Sequence, residues 1–153
     1  MKIVLGADHA GFELKEKIKQ HLTDRGIDVH DHGTHSAESV DYPEFAQVVG
    51  EQIASKTADS GILVCGTGIG MSMAANKVPG VRAAKVNSEI EAQLSREHND
   101  ANVLALGARM LDEPTALRIV DRWLSTAFSG GRHQRRVEKI HSIEHDQWRV
   151  PSA

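Results

Sequence analysis

Apolar residues along this chain fall into short unbroken runs, separated by longer stretches in which they recur every three to four positions. Lys2–Gly6 (KIVLG) predicts a first strand. Phe12, Leu14, Ile18 and Leu22 predict an amphipathic helix from about Phe12 to Arg25, stopped by Gly26. Ile27–Asp31 predicts a second, shorter strand, and Gly33–Ser39 a polar loop. Asp41-Tyr42-Pro43 starts a helix to about Lys56, with Phe45, Val48, Val49 and Ile53 on its inner face. The third strand is Gly61–Cys65, and a helix-like segment runs from Met71 to Lys77. After the turn Val78-Pro79-Gly80, Val81–Val86 predicts a fourth strand, and Ser88 caps a helix through Arg96. The polar loop Glu97–Asn102 leads to a fifth strand, Val103–Leu106. Pro114 opens a helix to about Phe128, Ser129-Gly130-Gly131 breaks it, and Arg132–Glu144 is a last, basic helix before a loose tail to Ala153.

Strands and helices alternate five times, which makes an α/β domain with a doubly wound, five-stranded parallel sheet and helices on both faces the economical architecture, with the basic C-terminal helix added. In such sheets the ligand crevice lies beyond the carboxyl ends of the strands. Asp8 and His9 fall there after the first strand, Cys65–Gly70 after the third and Arg109 after the fifth. His98 and Asn99 precede their strand. They reach such a crevice only from another direction, for instance from a second subunit.

The chain is organised around Gly61–Lys77 (GILVCGTGIGMSMAANK). Three alternate glycines, Gly66, Gly68 and Gly70, permit backbone conformations closed to other residues and clear side chains from the approach path. With Thr67 and Ile69 between them, their N–H groups can converge on a negative charge at the start of the next helix. Cys65 stands at the lip of this loop, where amide dipoles favour a thiolate. A lone cysteine in a strand is ordinarily a small buried hydrophobe, so a reactive sulfur and a packing residue are both open readings. The glycine spacing is neither the dinucleotide fingerprint nor a nucleotide P-loop.

Composition narrows the field. Eighteen Lys and Arg against 21 Asp and Glu give a net charge of −3, and aromatics make up 4% of the chain, which argues against nucleic-acid binding. A single cysteine excludes an intrachain disulfide and a multi-cysteine metal site, and suits the reducing cytoplasm. No apolar run reaches membrane-spanning length, and the N-terminus does not read as a secretory signal. Of nine histidines, His30, His32 and His35 could suggest a metal site, but no further ligand accompanies them. Arg132 and Arg136, four apart on one helical face, suit a phosphate or simply a solvated basic surface.

Five separated motifs then occur in order: GADHAGFELK at the N-terminus, DYP at 41–43, LVCGTGIGMSMAANK at 63–77, SREHNDANVLALGAR at 95–109 and GGRHQRRVEKI at 130–140. Together they resemble the type B ribose-5-phosphate isomerases, within a wider group of galactose- and allose-phosphate isomerases. The resemblance implies a Rossmann-like domain, a homodimer or dimer of dimers with active sites across the interface, and metal-free, cofactor-free interconversion of an aldose phosphate and a ketose phosphate. It implies Cys65 as catalytic base and His98 as the ring-opening acid–base residue. Gly66, Thr67, Gly68, Ile69 and Gly70 become the anion-hole loop, Asp8, His9 and Asn99 substrate contacts, and Arg109, Arg132 and Arg136 the phosphate cluster. One branch of this group has an acidic residue after the last loop glycine; Met71 stands there here, as in the cysteine branch. Six-carbon sugar phosphates remain an alternative substrate, and a non-catalytic sugar-phosphate-binding regulator an alternative role. Lys85 and Asn87, at the end of the fourth strand, break its apolar character. A lysine there either reaches solvent or points into the crevice and alters which sugar fits.

Overall fold

The computed structural model of the protein describes residues 1–145. Five parallel strands form one sheet, β1 (Lys2–Ala7), β2 (Asp28–Asp31), β3 (Ser60–Cys65), β4 (Ala83–Lys85) and β5 (Val103–Gly107), in the order β2-β1-β3-β5-β4. Six helices accompany them: α1 (Phe12–Asp24), α2 (Tyr42–Ala54), α3 (Ile69–Ala75), α4 (Glu89–Asn99), α5 (Glu113–Leu124) and α6 (Arg132–His145). The central strands β1, β3 and β5 are covered on both faces, which is why their sequence shows no polar alternation. One face packs Leu14, Ile18 and Leu22 of α1, Ala92 of α4 and Ile119, Val120 and Trp123 of α5 against Ile3, Leu5, Ile62 and Leu104. The other packs Val49 and Ile53 of α2 and Met71 and Ala75 of α3 against Val4, Leu63, Cys65 and Ala105.

β1 pairs with β2 on one side and β3 on the other, so the chain reverses its winding direction between β1 and β3. The carboxyl ends of those two strands therefore splay their following loops apart and open a crevice. Asp8-His9 and Cys65–Gly70 flank it.

Several boundaries differ from the sequence expectation, each for a visible reason. α3 begins at Ile69 instead of Met71, because Gly68 takes the N-cap position with φ +79°. β4 keeps only three residues: Val81 closes a turn onto Val78, and the Arg82 amide donates to the Asn102 side chain. α5 stops at Leu124, four residues before Phe128. α4 continues past Arg96 to Asn99, where Asp100 ends it at φ +46°. His98 and Asn99 are thus helical residues, not loop residues. The tail expected to be loose from about residue 146 lies outside the described residues.

Candidate active site

The crevice begins with two well-fastened loops. The Asp8 side chain is buried and its Oδ1 accepts from the Gly11 amide at 3.0 Å, closing the turn into α1. The Val40 amide donates to Nδ1 of His9 at 3.2 Å. An imidazole nitrogen that accepts leaves the other to carry the ring proton, so His9 presents Nε2–H. Behind this loop the Ala7 amide donates to the Gly33 carbonyl at 2.6 Å, and the Gly33 amide donates to Asp31 at 2.9 Å. Asp31 in turn receives the buried ammonium of Lys15 at 2.5 Å and that of Lys19 at 3.2 Å. Burial alone would raise the Asp31 carboxyl. The hydrogen bond from Lys15, the Gly33 amide, the charge of Lys15 and the bond from Lys19 outweigh it and hold it below the ordinary carboxylate value.

The glycine loop forms the other wall of the crevice. Cys65 ends β3 with 4% of its surface exposed, and the Gly68 amide donates to its sulfur at 3.1 Å. Gly68 must be glycine, since a Cβ there would lie 2.9 Å from the Leu106 carbonyl carbon in a left-handed conformation. The Ile69 amide is turned onto Thr67 Oγ1 at 3.2 Å. Among the described residues the Gly66 and Thr67 amides donate to no backbone carbonyl. α3 has only seven residues, so its dipole adds little to the loop amides. Arg109 lies on the flank of the loop: its amide donates to the Gly66 carbonyl at 3.0 Å, and a Cβ on Gly66 would stand 3.0 Å from its Nη1. Asp8, His9, Cys65, Gly66, Thr67, Gly68, Ile69, Gly70 and Arg109 therefore gather at one end of the sheet.

His98, Asn99, Arg132 and Arg136 do not join them within one chain. β3 pairs with β5 from Gly61 opposite Val103 to Cys65 opposite Gly107. Asn102 meets the amino end of β3, where its carbonyl accepts from the Gly61 amide at 3.0 Å. Four strand steps of about 3.3 Å separate that end from Cys65, about 13 Å in all, and His98 stands in the last turn of α4, which ends there. The His98 ring stacks on His133 of α6 at 4.2 Å between centroids and 13° between planes. Arg132 and Arg136, exposed on the same helix, stand around this stack. Desolvation, then the charges of His98, Arg132 and Arg136, push the His133 imidazole down from its ordinary value against the pull of Glu97. The three arginines thus divide, one at the glycine loop and two beside His98. The convergence expected from the resemblance requires a second chain.

Three residues that the sequence left unassigned belong to these clusters. A Cβ on Gly70 would strike the Tyr42 ring at 2.5 Å, so Tyr42 covers the end of the loop. Its signal was the DYP motif itself. His133 stacks on His98, with no pattern in the sequence to single it out. Lys85 lies against Gly68. The histidine group at 30–35 disperses: His30 bonds to Asp28 at 3.0 Å. Among the described residues no three of His, Cys, Asp or Glu come together as a metal set, and no helix is long and apolar enough to cross a membrane.

A doubly wound sheet with a thiol, an amide-rich glycine loop and an arginine beyond the carboxyl ends of its central strands defines an α/β protein with the crevice layout in which such folds bind small ligands. The chain belongs to the ribose/galactose isomerase family, whose model matches residues 3–140. Ribose-5-phosphate isomerase B of Escherichia coli is 52% identical over 143 residues, covering 94% of this chain and 96% of that protein. Among solved structures, ribose-5-phosphate isomerase B of Clostridium thermocellum superposes with a TM-score of 0.94 at 54% identity, over 95% of this chain and 98% of the other. The Mycoplasma genitalium enzyme with bound ribulose-5-phosphate gives 0.92 at 44% identity, over 95% and 97%.

Proposed function

We propose that this protein is an aldose–ketose isomerase that interconverts ribose 5-phosphate and ribulose 5-phosphate through an enediolate, in a site completed by a second copy of the chain. The observation that carries the reading is the Cys65 sulfur held by the Gly68 amide, in a loop whose Gly66 and Thr67 amides meet no backbone carbonyl, at the switch point of the sheet. The Cys65 thiolate takes the proton from C2 of the open-chain aldose. The electron pair moves into the C1–C2 enediolate, O1 takes the proton that O2 gives up, and the same carbon proton or one exchanged for it returns from Cys65 to C1 as the C2 carbonyl forms. The Gly66 and Thr67 amides, which no backbone carbonyl engages, face the developing oxyanion, already oriented, so no reorganisation is needed as charge builds. His98 transfers the proton that opens the furanose ring. Arg109, with Arg132 and Arg136 of the second copy, holds the phosphate, and Asp8, His9 and Asn99 meet the hydroxyls. Binding energy from the remote phosphate then orients the reacting carbons.

Two features support a homodimer. The half-sites of one chain lie at opposite ends of the sheet, as described above. Apolar side chains also stand on the surface four or three residues apart, Ile69 and Met73 on α3 at 48% and 64% exposure, Ile140 and Ile143 on α6 at 40% and 60%. A sugar-phosphate substrate and a cysteine that has to stay reduced suit the cytoplasm. Initial rates across ribose 5-phosphate, allose 6-phosphate and galactose 6-phosphate test the substrate. Highest kcat/KM on ribose 5-phosphate is expected. A six-carbon preference would move the activity to another branch of the family, and binding without turnover would make the protein a regulator.

A further inference from the structure

Lys85 is the last residue of β4 and lies opposite Ala105 of β5, which lies opposite Leu63 of β3. By strand alternation its side chain leaves the same sheet face as Leu63 and Cys65. That face is the one covered by α3. A Cβ on Gly68 would stand 3.1 Å from Lys85 Cγ, so the lysine stem lies across the very glycine whose amide holds the Cys65 sulfur. The ammonium is then pinned beyond the carboxyl end of the strand, where Nζ donates to Asn87 Oδ1 at 2.8 Å. Asn87 is itself fastened to the cap of α4: its amide donates to Glu91 Oε2 at 2.6 Å, and the Glu91 amide donates to Ser88 Oγ at 3.2 Å.

Immobilising a lysine costs rotamer freedom, a loss a lysine serving only solubility does not incur. Its anchor is a neutral amide oxygen, so the bond fixes the position of the charge without cancelling it. Arg109 lies against Gly66 on one flank of the loop, and Lys85 lies against Gly68 on the other. The loop that holds the sulfur therefore has the Arg109 guanidinium, from the turn after β5, on one flank and the stem of Lys85, from β4, on the other.

We infer that Lys85 is a further residue of the isomerase site, its fixed ammonium stabilising the negative charge shared by the Cys65 sulfur and the enediolate during proton transfer. The inference rests on the isomerase reading and assigns the reacting end of the substrate to the Gly68 flank. A charge that acts on the transition state lowers kcat when removed and leaves KM nearly unchanged, whereas one that grips the bound phosphate does the reverse.

The test compares Lys85→Met, Lys85→Arg and Asn87→Ala with the parent chain. For Lys85→Met we expect kcat on ribose 5-phosphate to fall about tenfold, with KM within about twofold. Affinity for a four-carbon phosphorylated hydroxamate, a planar mimic of the enediolate, should fall about as far as kcat, while inhibition by inorganic phosphate stays the same. Lys85→Arg should restore most of the rate, and Asn87→Ala, which frees the ammonium without touching the loop, should lose about threefold. A folded Lys85→Met with full kcat overturns the inference, as does a raised KM at constant kcat. Should Lys85→Met fail to fold, Asn87→Ala at the parent rate overturns it alone. If the parent chain does not isomerise ribose 5-phosphate, the functional reading falls first; if it does and Lys85→Met matches it, only this inference falls.

Discussion

The carboxyl end of the sheet and the corner where α6 meets α4 are fastened by different means. At the carboxyl end, backbone meets backbone: Ala7 with Gly33, Thr34 with Ala7, Asp8 with Val64, Ala108 with Cys65 and Arg109 with Gly66. Lys15 and Asp31 brace these loops from behind with a buried ion pair. At the other corner, side chains do the joining. Arg82 bonds the Asp100 carbonyl and the His141 ring, Glu144 accepts from the Gly80 amide, and Val137 is the buried residue of α6. A site that must hold a developing charge gains from donors that cannot move. A helix held by its side chains can adjust more freely than loops fastened backbone to backbone. The molecule thus offers a rigid half-site and an adaptable one.

The largest expected effect lies in the rigid half. Cys65→Ala should lower kcat by about a thousandfold while leaving sugar-phosphate affinity nearly intact, as expected for loss of a general base. His98→Asn should also be severely impaired. Mixing the two inactive variants and letting subunits exchange breaks or sharpens the comparison directly. If the half-sites pair across a dimer, half the dimers are mixed and each carries one intact site, so roughly a quarter of the parent activity returns. No recovery would place both residues in one chain's site and remove the division.

Next comes the brace. Lys15→Met leaves Asp31 with Lys19 alone and should cost about 3 kcal/mol, the low end for a broken buried pair, read as a lower denaturation midpoint. The same variant changes the response to acid. Asp31 is depressed in the folded state, so it contributes stability above its unfolded value of 3.8 that is lost as pH falls through the folded value. The parent should therefore lose urea stability on acidification below about pH 4 more steeply than Lys15→Met. Equal slopes would mean that the pair does not set the acid response.

Gly68→Ala tests the loop geometry at a smaller cost. The left-handed backbone and the contact with the Leu106 carbonyl carbon should together cost about 2 kcal/mol, or roughly 4–8 °C in Tm for a chain of this length. The smallest effect belongs to the adaptable half. Val137→Ala should cost about 1 kcal/mol, expressed as faster hydrogen exchange in α6 with little change in the sheet. If exchange rose equally in β1 and β3, the two regions would not be separate in stability.

Much of this was legible in the order of residues. Apolar runs located the central strands β1, β3 and β5, because strands buried on both faces leave no room for polar alternation. Gly66, Gly68 and Gly70 after such a run announced a backbone-lined loop, and Cys65 stood visibly at its lip. The end of α4 was misread because Glu-His-Asn-Asp looks like a loop; helix propensity is weak, and packing against α5 and α6 extends the helix to Asn99. Tyr42 and Lys85 were visible as residues but not as members of the site. Their contacts are with Gly70 and Gly68, 28 and 17 positions away, and no local pattern encodes such distances.

By itself the sequence determined the alternation of strands and helices, the identity of the sulfur and the loop that serves it, since these depend on neighbours along the chain. Tertiary structure alone decided that Tyr42 and Lys85 join the glycine loop while His98 stacks on His133 beside Arg132 and Arg136. Strand order and register set that division, and they are fixed by which faces bury each other across the fold.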